Sequence, residues 1–124
     1  MASAEMDNDE LNKIVSAWIL SHESDEGNWA HEQVFDWIYD NKDEILWRFI
    51  LMTYKRELSS KVISSLAAGP VEDLLAKFGS RYIDRVEHLA QQDEKFNMLL
   101  GGVWKNDMTD EVWQRLQKIR KNVW

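Results

Sequence analysis

The chain has 124 residues, no cysteine, one proline and a formal net charge of −7. Without cysteine there is no disulfide and no thiolate chemistry, and a reducing cytoplasm is the expected setting. The length suits a single domain over residues 1–124, with residues 1–6 expected to fray.

The first helix is expected to start at Asp7 or Asp9, either of which can cap free backbone N–H groups. Leu11, Ile14, Val15, Trp18 and Ile19 then recur at spacings of three, four, seven and eight, the signature of an amphipathic helix. His22 to Gly27 is polar and reads as a loop. Asn28 caps a second helix running to about Tyr39, with Trp29, Val34, Trp37 and Ile38 inward and Phe35 off that stripe. Asp43 and Glu44 open a third. Its run from Ile45 to Tyr54 is apolar nearly all round, which places it centrally, and with Arg48 inside it is too short to span a bilayer.

The stretch from Ser59 to Gly79 reads as a helical hairpin. Ser59 caps its first arm, on which Val62, Ile63, Leu66 and Ala67 share a face. Gly69 is expected to end that arm in a left-handed cap, and Pro70 to open the second. Glu72 and Asp73 then complement the positive end of the helix dipole, Val71, Leu74, Leu75 and Phe78 form the buried stripe, and Gly79 closes the unit. Ser80 opens a further helix with Tyr82, Ile83, Val86, Leu89 and Ala90 inward. Asp93 caps a short one with Phe96, Leu99 and Leu100. Gly101 and Gly102 stop it and let Trp104 turn back into the core. Thr109 caps the last helix, with Val112, Trp113, Leu116 and Ile119 inward and Lys118, Arg120 and Lys121 at its negative end. No segment has a strand's period. The fold class is all-α, a bundle of about seven or eight short helices arranged as stacked helical hairpins.

Sites of recognisable chemistry are sparse. His22, His31 and His88 share no metal-ligand spacing on any helix, and the serines lie in caps and loops without a nucleophile elbow. Neither a metal, a cofactor nor an enzymatic activity is expected. The paired glycines before Lys105 have the look of an anion loop, but no strand precedes them as phosphate fingerprints require.

Charge is the informative feature. Residues 1–44 hold twelve acidic and two basic side chains, a net −10, while residues 45–124 carry +3. That bias is opposite to a nucleic-acid binder's, so no direct nucleic-acid binding is expected. Carboxylates at Glu23, Asp25, Glu26, Glu32, Asp36 and Asp40 surround a candidate anchor, Trp29, and together suit a basic protein surface. Seven tryptophans are present, most of them suited to the core.

Two motifs carry a resemblance: Leu66-Ala67-Ala68-Gly69-Pro70-Val71-Glu72-Asp73-Leu74-Leu75 and Leu99-Leu100-Gly101-Gly102-Val103-Trp104. On these the chain resembles a group of small bacterial proteins catalogued only as a domain of unknown function, over roughly residues 28–117. The resemblance implies no activity and no catalytic residue. The expected function is a cytoplasmic interaction module that neutralises or regulates a basic protein such as a toxin or nuclease, as immunity proteins and antitoxins do. The alternatives are a phage-type inhibitor mimicking nucleic acid with its carboxylates, and a small enzyme whose site the sequence does not reveal.

Overall fold

The computed structural model describes residues 6–124; the expected fraying at residues 1–6 falls, but for Met6, outside them. Among the described residues there is no strand. The helices are α1 (Asn8–Glu23), α2 (Trp29–Tyr39), α3 (Asp43–Tyr54), α4 (Ser60–Leu66), α5 (Glu72–Gln92), α6 (Glu94–Leu100) and α7 (Asp110–Ile119), with a π-helical turn at Ala67–Val71 joining α4 to α5. The chain divides into two compact units, the first ending at Ser65 and the second spanning Leu66–Trp124.

In the first unit α1, α2 and α3 pack on one another in all three pairings. Asp7 caps α1 by accepting from the Glu10 N–H at 2.8 Å, and Asn28 caps α2 by accepting from Ala30. The Asn28 amide also donates to the Ala17 carbonyl at 2.8 Å, so one side chain starts α2 and fastens it to α1. The apolar run of α3 is packed away from water: Leu46, Phe49 and Ile50 are wholly buried. Phe49 meets Trp18 and Trp37 edge-on at 5.5 and 5.7 Å, the arrangement that ring quadrupoles favour. Each such side chain contributes about 1.5–3 kcal/mol by leaving water.

The second unit corrects the expected hairpin. Gly69 has no positive φ, and neither Gly69 nor Pro70 breaks the chain; both lie inside the π-helical turn. Pro70 has no N–H to give and its ring would strike the carbonyl four residues back. Widening the turn relieves that conflict, and the Glu72 N–H reaches back five residues to the Ala67 carbonyl. Helical backbone therefore continues from Ser60 through the turn to Lys77. The expected break before Ser80 is present and is displaced by one residue: α5 is two helical arms meeting at a kink at Phe78 (φ −122°, ψ 21°), so the first arm ends before Gly79 rather than at it. Gly79 serves close packing instead, because a Cβ there would stand 2.9 Å from the Val112 side chain of α7.

Around α5 pack α6 and α7. Asp93 and Thr109 cap α6 and α7 as expected. Arg115 of α7 forks between Asp84 and Glu87 of α5. Buried Asn97 donates to the Ala90 and Ile119 carbonyls and accepts from Lys121, satisfying three backbone groups with one amide. The expected return of Trp104 to the core does not occur: its side chain is 61% exposed. Val103 and Met108 are buried there instead, and the two glycines give room to Trp124.

Candidate functional site

All seven residues expected to face a partner are exposed: Glu23, Asp25, Glu26, Trp29, Glu32, Asp36 and Asp40. On α2, positions 29, 32, 36 and 40 follow spacings of three and four, so Trp29, Glu32, Asp36 and Asp40 form one stripe. Phe35 and Tyr39 form the next stripe, and with Trp29 (57% exposed) they leave three large rings in water at 47% and 76% exposure. Trp29 does not join the inward stripe expected of its helix and stands at the surface, as an anchor would. Ala30, Val34 and Trp37 hold the buried side, which turns Trp29 outward. Residues 1–65 hold thirteen acidic and six basic side chains, against nine of each in the remainder. The whole net charge thus resides in the first unit.

Beside this face lies a cleft of about 250 Å³, lined by Ser21, His22, Asp25, Gly27, His31, Lys61 and Ser65. Its two histidines belong to a row of four rings. His22 stands one turn after Trp18 on α1, with ring centroids 4.2 Å apart. His31 of α2 follows at 5.3 Å from His22, and Phe35 at 5.1 Å from His31. The Nε2 of His22 is buried and has no hydrogen-bond partner. Burial lowers the pKa of His22 below its ordinary value, and the neighbouring His31 and Lys61 push the same way against Asp25. Its imidazole is accordingly neutral at pH 7. Asp25 adopts φ 61°, in the left-handed region that Asp tolerates better than most residues, and pairs with Lys61 at the mouth of the cleft.

Sequence spacing could not find this cleft, because His22 and His31 sit on different helices. One signal was present: His22 extends the Leu11–Val15–Trp18 stripe by one more turn, where a wholly solvated histidine is out of place. His88 stays apart, exposed and paired with Gln92. Among the described residues no group of three His, Cys, Asp or Glu side chains could hold a metal ion. The paired glycines offer no anion loop either, since the N–H groups of Gly101, Gly102 and Val103 are bonded to Met98, Leu99 and Leu100. No helix among the described residues is long and apolar enough to cross a membrane.

Residues 19–123 match a family described as "Family of unknown function (DUF6869)". The chain belongs to that family. The match extends past the motif-bearing region at both ends and takes in the end of α1, α2 and the cleft. No curated protein and no solved structure matches the chain.

Proposed function

We propose that this family member is a protein-interaction module, without enzymatic activity, whose α2 face binds a basic protein and neutralises or regulates it, as immunity proteins and antitoxins do. One observation carries the reading. Three exposed rings, Trp29, Phe35 and Tyr39, share a helix face with the exposed carboxylates Glu32, Asp36 and Asp40. Large rings in water cost free energy that a partner's surface recovers, and amphipathic aromatics dominate binding hot spots. The carboxylates around them steer a basic partner into place and reject an acidic one. Rings set between the carboxylates suit a protein surface better than they suit imitation of a phosphate ladder. A cytoplasmic toxin or nuclease with a basic substrate cleft has the complementary chemistry.

The test starts from the partner captured with the intact protein from its native host. Association and dissociation rates are then measured across salt concentrations for Glu32→Lys/Asp36→Lys and, separately, for Trp29→Ala. Charge reversal should slow association, most at low salt, while truncation of the ring should speed dissociation. Unchanged rates for both variants would exclude the α2 face.

A further inference from the structure

We propose that the cleft beside α2 is a receptor for a single arginine side chain of the partner, its guanidinium replacing Lys61 on Asp25. The proposal rests on the reading of α2 as a protein-binding face and names what enters next to it. The groups lining the cleft select the occupant by elimination. An anion would meet the Asp25 carboxylate in the unit that holds all the net negative charge. A metal ion lacks a third converging ligand. What remains is an organic cation, and the inventory of acceptors favours a planar one with many donors.

Two acceptors stand in the cleft, and a neutral imidazole forms part of its lining. Asp25 has a carboxylate whose present partner is an exposed lysine, and exposed ion pairs are easily exchanged. His22 is neutral, for the reasons of burial and neighbouring charge given above, and its buried Nε2 has no hydrogen-bond partner. Ser65 contributes a hydroxyl. A guanidinium carries five N–H donors in a fixed plane. One edge takes the carboxylate in a bidentate pair, and the other donors are left for the hydroxyl and for solvent at the mouth. Its flat face can stack on the His31 ring. An incoming lysine would only exchange one ammonium for another on Asp25. The volume of about 250 Å³ holds one such side chain and little more.

The test needs no partner. N-acetyl-arginine amide is titrated into the intact protein and followed by NMR of the His22 and His31 ring resonances, with N-acetyl-lysine amide and N-acetyl-citrulline amide as controls. Saturable shifts should appear with the arginine amide in the millimolar range and be several-fold weaker with both controls. Asp25→Asn, which keeps a residue tolerant of the left-handed backbone, should weaken binding. Lys61→Met, which removes the competing ammonium, should tighten it; a merely structural ion pair would give no such gain. Lowering the pH until His22 protonates should abolish binding. Absence of saturable shifts in both the natural protein and Lys61→Met, or equal shifts with all three amides, would overturn the proposal. Because only the small probe is used, that failure would leave the α2 face standing, and failure of the α2 charge reversal would leave the titration standing.

Discussion

The indole of Trp124 lies across Gly102 so closely that a Cβ on the glycine would stand 2.7 Å from the ring's Cζ2. The same indole donates from Nε1 to the Met98 carbonyl at 2.7 Å, while its backbone N–H donates to the Gly101 carbonyl at 3.0 Å. The paired glycines are therefore a seat for a ring, and their value lies in the side chain they lack.

Gly102→Ala should unseat Trp124 and lose the hydrogen bond and part of the ring's burial, a cost of about 1–2 kcal/mol. Trp124→Ala should cost a similar amount. Because both changes break one contact, the double variant should be little worse than either alone. Urea denaturation of the three variants checks this; simple additivity would show that the two residues act separately.

Gly69 and Gly79 should respond to alanine in opposite directions. A Cβ at Gly69 meets nothing within 4 Å, and its φ is not positive, so Gly69→Ala should stabilise by about 0.5–1 kcal/mol. At Gly79 the new methyl meets Val112, so Gly79→Ala should destabilise by about 1–3 kcal/mol. Val112→Ala made in the same chain should recover part of that loss. A left-handed cap at Gly69 would instead make its alanine variant the weaker protein.

His22 and Glu72 should tilt the stability profile in opposite senses. The lowered pKa of His22 means the folded state binds fewer protons than the unfolded chain. Stability is then lost as the pH falls below the ordinary value of 6.5 towards the folded one. His22→Gln should remove that loss. Glu72 is buried and takes a hydrogen bond from Asn106 at 3.3 Å, yet burial and nearby Asp73 hold its pKa above 4.5. Its contribution is full at low pH and fades as the pH rises from 4.5 through the raised value. Asp73, raised by burial and by Asp107, tilts the same way. Glu72→Gln keeps an acceptor for Asn106 and should gain on the natural protein as the pH rises through that window. Denaturation midpoints between about pH 4 and 8 measure both slopes, and parallel profiles would refute them.

Much of the architecture was legible in the sequence because its signals are local. Asp7, Asn28, Ser59, Asp93 and Thr109 each satisfy N–H groups two or three residues onward, so the cap residue and its customers are read together. The periodic stripe of α1 and the apolar run of α3 work the same way, one turn at a time. The exposure of Trp29 beside Glu32 and Asp36 also follows from spacing, once Ala30, Val34 and Trp37 are taken as the buried side.

Glycine misled because it serves two physical ends that look alike in one dimension. Gly69 was expected to supply a left-handed backbone; instead the Pro70 conflict is absorbed by widening the helix, a choice that the packing of Val71, Leu74 and Leu75 supports. Gly79, Gly101 and Gly102 are small because Val112, Asn122 and Trp124 approach them from 21 to 33 residues away. The cleft was out of reach for the same reason. His22 and His31 lie on separate helices, and the partner of Asp25 is 36 residues distant. Local hydrogen bonding and periodicity determined where the helices begin and which sides they bury; which side chains face one another across them is a property of packing, and only the tertiary structure decided it.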